Sequence, residues 1–170
     1  DLVLVHRYDA PPADDFLIQE FFGTDFSRCY LGLQTLRSRP SLMLWPLLKQ
    51  RWQEEAHNDY GAHYFFIRLF AAVQHWPQDA LVEIEAWLLE AVETKRPQFM
   101  KSKPAALLAL AALVPDRCRE RLGDWSNPEQ MAFWECRYAA AMVMEQLGMQ
   151  PAQQPDPHPY VEARLAMIRN

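Results

Sequence analysis

Apolar side chains recur every three or four residues along most of this chain, which is the spacing of one face of an α-helix. The strongest such pattern covers Ser126–Gly148, where apolar positions form two arcs around one helix. Asn127 suits the N-cap, Pro128 suits the first helical position, and Gly148 is a typical stop. A helix that is apolar on two sides needs neighbours on two sides. We therefore expect a central helix of a helical stack, with Trp134 packed as firmly as a core aromatic residue.

Proline, glycine and capping residues divide the rest of the chain into shorter helical segments with short connectors. Residues 1–12 predict an extended arm, and residues 149–159 are rich in Pro and Gln and predict an irregular segment. The other segments predict helices that begin or end at recognisable signals, among them 62–76, 77–94, 102–114 with Ser102 as the N-cap, 116–122 ending at Gly123, and 160–168. The whole chain, residues 1–170, is predicted to be a single all-α domain of about eight helices in antiparallel hairpins.

Two nine-residue stretches resemble each other. FFIRLFAAV, from Phe65, and WECRYAAAM, from Trp134, share an aromatic residue, an Arg three positions later, and then Ala-Ala followed by an apolar residue. Their offset is close to twice the length of a helical-hairpin repeat, which favours a HEAT-like or TPR-like array. Convergent composition of two core helices explains the likeness equally well.

Charge and composition exclude several functions. The net charge of −5 disfavours a phosphate-binding surface, so no nucleic-acid partner is expected. The longest apolar run, Ala105–Val114, is too short to span a bilayer, so no membrane partner is expected. Cys29, Cys118 and Cys136 have no zinc or redox spacing, which indicates buried thiols in a reducing cytoplasm. Glycine-rich phosphate loops are also missing from the sequence, and no cofactor is predicted.

The best metal-like grouping contains Glu54, His57 and His63. Glu54 and His57 have the E-x-x-H spacing that places both on one helix face. A dinuclear carboxylate site needs a second such motif, which the sequence lacks. Charged and imidazole groups at a helix end are the simpler interpretation, so these three are only weak candidates and no metal is predicted.

Arg68, Glu85 and Arg137 interrupt helices that are otherwise largely apolar. An unpaired buried charge is costly, so at least one Arg–Glu pair between helices is expected. We interpret these residues as internal ion pairs that fix helix register rather than as catalytic groups.

Four carboxylates cluster on one side of the helix predicted at 77–94: Asp79, Glu83, Glu90 and Glu93. Asp79 and Glu83 are four residues apart and repel each other weakly. A basic protein partner would relieve this repulsion, so the cluster is our candidate partner-binding surface. A solvated helix face is the competing interpretation.

The last 70 or so residues resemble a bacterial immunity family that neutralises polymorphic nuclease toxins. The shared pattern consists of KPAALLALAAL, RERLGDW, AFWECRYAAAMVMEQLGM and PDPHPY, in that order. The resemblance implies a non-catalytic all-α protein that occludes a cognate toxin, with acidic residues facing a basic cleft. The alternatives are a HEAT-like or TPR-like adaptor or secretion chaperone and, less favoured, a metal-dependent helical enzyme.

Overall fold

The computed structural model describes residues 45–55, 67–71, 76–96, 102–151 and 158–169. These residues contain helices, turns and connectors but no strand, so the predicted all-α fold is confirmed. Residues 67–71 are helical, and six further helices have defined bounds: α1 (Trp45–Glu55), α2 (Gln78–Glu93), α3 (Lys103–Leu113), α4 (Pro115–Ser126), α5 (Trp134–Gln146) and α6 (Pro159–Arg169). None of the described helices combines the length and the apolar composition that a membrane span requires.

The chain divides into two compact units, Asp1–Ala80 and Leu81–Asn170. In the first unit, aromatic rings pack together: Phe70 lies 5.7 Å from Trp52 and 5.9 Å from Trp76 between ring centroids. The Trp76 ring also meets Trp45 edge-on at 5.8 Å. Its indole N–H donates a hydrogen bond of 3.0 Å to the Phe70 carbonyl, which satisfies the one polar atom of the ring. The single-domain organisation stays a prediction.

The core of the second unit is formed by α3, α4 and α5, which all pack against one another, while α6 packs on α3. The alanines of α3 and α5 allow this close approach, because small side chains keep helix axes near one another. Larger apolar side chains, such as Leu107, Leu110 and Leu122, fill the remaining space and are fully buried. The mixture of small and large residues gives a densely packed interior.

Proline separates α3 from α4. Val114 adopts φ −137° and ψ 62°, outside the helical region, and it is both the last capping residue of α3 and the first of α4. Pro115 then occupies the first helical position, where its missing N–H costs nothing. The predicted end of this helix at Gly123 is wrong, since α4 continues through Gly123 to Ser126. A single exposed glycine weakens a helix without ending it.

The helix predicted over Ser126–Gly148 starts later than expected, at Trp134. Asn127 does accept a backbone N–H through its side chain, from Glu129 at 2.9 Å, but this bond closes a turn rather than opening a helix. The Arg137 guanidinium donates to the carbonyls of Met131 and Ala132 at 2.6 and 2.8 Å. Arg137 thus takes up carbonyl groups that a longer helix would have bonded internally.

The predicted stop at Gly148 agrees with the structure. Gly148 has φ 69°, in the left-handed region. Its N–H donates to Glu145 at 3.1 Å, and the N–H of Met149 donates to Met144 at 2.8 Å. This pair of bonds is the Schellman motif, which satisfies carbonyls that the helix end would leave open.

Candidate functional site

Four side chains from the start of α5 and the start of α6 lie together at the surface of the second unit. We call Trp134, Tyr138, His158 and Glu162 the aromatic cluster. The Trp134 ring lies 5.9 Å from Tyr138 at an interplanar angle of 49°, and 5.4 Å from His158 at 80°. Trp134 and Tyr138 are four residues apart on α5, so the helix brings them together directly. His158 immediately precedes Pro159, the first residue of α6.

Tyr138 and Glu162 form the polar side of the cluster. The Tyr138 hydroxyl donates to Glu162 Oε1 at 2.8 Å. Burial and this bond to the carboxylate both raise the pKa of Tyr138, because each disfavours the phenolate. Tyr138 is therefore neutral under ordinary conditions and serves as a donor. Glu162 lies in the first turn of α6, where a negative charge is favourable.

Trp134 differs from our expectation that it packs as firmly as a core aromatic residue. Its exposed fraction is 37%, whereas Tyr138, one turn further along the same helix, is buried. The prediction that Trp134 is a core residue is wrong because Trp134 is the first residue of α5. Tyr138 and Ala141, which lie on the same side of the helix but one to two turns further along, are buried. The contact with His158, 24 residues away in sequence, places Trp134 in the aromatic cluster. A pattern of neighbouring residues in the sequence does not predict such a contact.

Apart from the aromatic cluster, the charged side chain of Lys103 is buried between α2 and α3. Its ammonium donates to the carbonyl oxygens of Val92 and Thr94 at the end of α2. Burial lowers the pKa of Lys103, while Cys136 and Glu93 act in the opposite direction. Ser102, predicted to cap α3 with its side chain, makes no such bond. The lysine therefore stabilises the end of one helix from the beginning of the next.

The thiols of Cys118 and Cys136 are both buried and free. Burial raises the pKa of Cys118 to about 11 and that of Cys136 to about 12. Because the thiolate is the nucleophile, neither group is suited to nucleophilic catalysis near neutral pH. Cys29 lies outside the described residues.

The residues predicted as internal ion pairs have the following surroundings. Glu85, on α2, is 3.6 Å from the Arg117 guanidinium on α4. Arg137 bonds the two carbonyls named above, and Arg68 lies half-buried in the helical segment 67–71. Arg117 is also 4.0 Å from Glu120 and is largely exposed, so its pairs are surface interactions of at most about 1 kcal/mol each. The structural role of these residues stays a prediction.

The predicted acidic surface lies on α2. Asp79 and Glu90 are exposed, and Glu83 is half-buried. Glu93 is exposed too, and it lies 3.6 Å from Arg121 of α4. Glu93 is therefore already paired with a cation of this chain, which reduces the negative field offered to a partner.

The candidate metal ligands are largely beyond the described ranges. His57 and His63 lie outside them, and Glu54 lies in α1. Within the part of the chain that the structure describes, no group of three His, Cys, Asp or Glu residues is arranged to hold a metal ion.

Comparison with curated proteins indicates a different function from the one expected. Over 135 residues, the chain is 44% identical to "Bilin biosynthesis protein CpeY" of Synechococcus sp. (strain WH8020), a match covering 79% of this chain and 32% of that protein. The chain resembles part of CpeY. It is also 35% identical over 147 residues to "Uncharacterized phycocyanin operon protein Y" of Pseudanabaena tenuis (strain PCC 7409), covering 86% of this chain and 33% of that protein.

The chain thus spans about a third of the length of CpeY and of the phycocyanin operon protein. No protein-family model matches it, and no solved structure is significantly similar to it. The similarity to CpeY overturns the resemblance to nuclease-toxin immunity proteins, which rested on short helical patterns that any alanine- and leucine-rich bundle can share. The expected toxin inhibitor, its basic toxin partner and the non-catalytic assignment are wrong for the same reason.

Proposed function

We propose that this chain is a helical part of a protein of the bilin lyase type, which attaches a bilin chromophore to a phycobiliprotein. The observation that supports this proposal is the 44% identity to a protein named for bilin biosynthesis, over 79% of the chain. The second relative is named for a phycocyanin operon, which fits a phycobiliprotein as the acceptor. Since each relative is about three times longer than the match, the activity is proposed for the whole protein to which this chain corresponds in part.

Within that protein, the chain's described residues are suited to binding and orientation. Both described cysteines remain protonated near neutral pH, so neither is suited to attack the chromophore as a thiolate. The α3–α4–α5 core supports the second unit, and the exposed carboxylate Glu90 of that unit remains a proposed docking group for a protein partner. Bilin attachment would take place in the cytoplasm.

The test reconstitutes chromophore attachment in a heterologous host. The whole protein is co-expressed with an apo-phycobiliprotein subunit and the enzymes that make its bilin. Covalently bound bilin is then measured on the denatured acceptor by its visible absorbance. We expect attachment well above the level reached without the protein. Equal attachment with and without it, for each phycocyanin and phycoerythrin subunit tested, would contradict the proposal.

A further inference from the structure

The aromatic cluster places an exposed indole in a fixed orientation. Trp134 contacts Tyr138 on its own helix and His158 at the start of α6, so two helices restrain one ring. At 37% exposure it is one of two large apolar side chains that the described residues leave exposed. The other, Val82 on α2, is 57% exposed, and a branched aliphatic side chain offers no flat surface for stacking. A restrained aromatic ring at a surface loses little conformational entropy when it binds a ligand.

A carboxylate bonds the tyrosine that the Trp134 ring contacts. Glu162 is exposed and accepts the Tyr138 hydroxyl at 2.8 Å through Oε1. An ionised carboxylate has room for about four hydrogen bonds, so it can accept further N–H groups while it keeps the tyrosine. The cluster therefore combines a flat apolar face with an acceptor of fixed position.

We propose that the aromatic cluster is the binding site for one pyrrole ring of the bilin. Trp134 stacks on the ring, and Glu162 accepts a hydrogen bond from its N–H. This inference rests on the proposed function, which supplies the ligand class. A bilin is an open-chain tetrapyrrole, with flat conjugated faces and N–H donors along its edge. The faces match the indole of Trp134, and the donors match the carboxylate of Glu162. Hydrogen bonding to a carboxylate also favours the protonated, cationic form of the pyrrole system.

The test uses the whole protein titrated with free phycocyanobilin, with binding followed by bilin absorbance and by quenching of tryptophan fluorescence. Trp134→Leu keeps an apolar side chain but removes the aromatic face, and we expect it to weaken binding at least about fivefold, the lower range for stacking a planar heterocycle on an aromatic residue. Trp134→Phe should remain within about threefold of wild type, because a smaller aromatic face is kept. Val82→Ala, at the other exposed apolar position, is the matched control and should bind as wild type does.

Glu162→Gln provides an independent readout. It keeps the size and an acceptor oxygen but removes the negative charge, so the absorbance of the bound bilin should shift toward that of the neutral chromophore. Wild-type affinity in Trp134→Leu, or an unchanged bilin spectrum in Glu162→Gln, would contradict the proposed binding site. If the wild-type protein attaches chromophore and both variants bind the bilin as wild type does, only the proposed binding site is wrong. If wild type neither binds bilin nor attaches it, the proposed function itself fails.

Discussion

The ammonium of Lys103 bonds the carbonyl of Val92, so the first residue of α3 completes the end of α2. A cation at the first position of a helix is unfavourable for that helix, because the N-terminal end carries partial positive charge. The same cation is favourable at the C-terminal end of a neighbouring helix, where carbonyl oxygens are left open. Lys103 also reaches the carbonyl of Thr94. The side chain of Lys103 thus joins the beginning of α3 to the end of α2.

Replacing Lys103 by Met should therefore destabilise the second unit. The methionine keeps the apolar stem but leaves the Val92 and Thr94 carbonyls without their charged donor. Loss of hydrogen bonds to a charged group costs about 1.5–3 kcal/mol each, and relief of the burial cost of the ammonium offsets part of it. We expect a net loss of about 1–3 kcal/mol in the free energy of unfolding, measured by urea denaturation. Lys95→Met, at an exposed position between the same helices, should change it by less than about 0.5 kcal/mol.

Replacement by alanine should destabilise the protein at Gly148 and stabilise it at Gly123. Neither replacement meets another atom within 4 Å, so packing does not decide the result. Gly148 has φ 69°, where a Cβ costs about 1–2 kcal/mol, so Gly148→Ala should lower the melting temperature. Gly123 lies within α4 without such a φ, so Gly123→Ala should stabilise by about 0.5–1 kcal/mol. Thermal unfolding followed by circular dichroism distinguishes the two, and equal shifts would show that backbone conformation is not the cause.

Helices with strong local signals could be predicted from the sequence. Gln78–Glu93 follows from its apolar period and the proline before it, and the separation of α3 from α4 follows from Pro115. The start of α5 could not be predicted. Asn127 and Pro128 form a plausible helix start by local rules, but bonds from Arg137 to Met131 and Ala132 support a turn instead. That choice is decided by a side chain several residues away.

The candidate site was harder to predict than the fold. Trp134 and Tyr138 are visible as a helical pair, but their surroundings depend on His158 and Glu162 of a different helix. Lys103 carried one clue in the sequence, which is a cation at the start of a helix, where it is unfavourable. The proposed function came from similarity to CpeY, because no short motif in this chain indicated it.

The stability of the second unit should depend on the thiol of Cys136 at alkaline pH. Its pKa rises from 9.0 in the unfolded chain to about 12 in the fold, so its contribution is complete below 9.0 and is lost as the pH rises toward 12. By about pH 10.5 the loss should reach about 2 kcal/mol, at about 1.4 kcal/mol for each pH unit. Cys136→Ala lacks this group. At neutral pH the free energy of unfolding of Cys136→Ala should be about 1 kcal/mol below that of wild type, because packing is lost. Near pH 10.5 this difference should shrink or reverse.

Urea denaturation of wild type and Cys136→Ala at neutral pH and near pH 10.5 measures this change. Tyr138 titrates in both proteins, and its contribution cancels in the comparison. Cys118→Ala is the control, with a smaller effect because burial raises the pKa of Cys118 only to about 11. A difference between wild type and Cys136→Ala that stays constant with pH would show that the thiol ionises equally easily in the folded and unfolded chains.

Trp134→Ala should cost much less stability than truncation of a true core residue. A fully buried leucine such as Leu122 is expected to lose about 2–5 kcal/mol when replaced by alanine, because both burial and packing are lost. Trp134 is 37% exposed, and its contacts with Tyr138 and His158 are surface ring contacts. We expect Trp134→Ala to lose only about 1–2 kcal/mol, from partial burial and two aromatic pairs. Urea denaturation of both variants measures the two losses in the free energy of unfolding. A loss as large for Trp134→Ala as for Leu122→Ala would place the tryptophan in the core and remove the reason to regard its exposed face as available to a ligand.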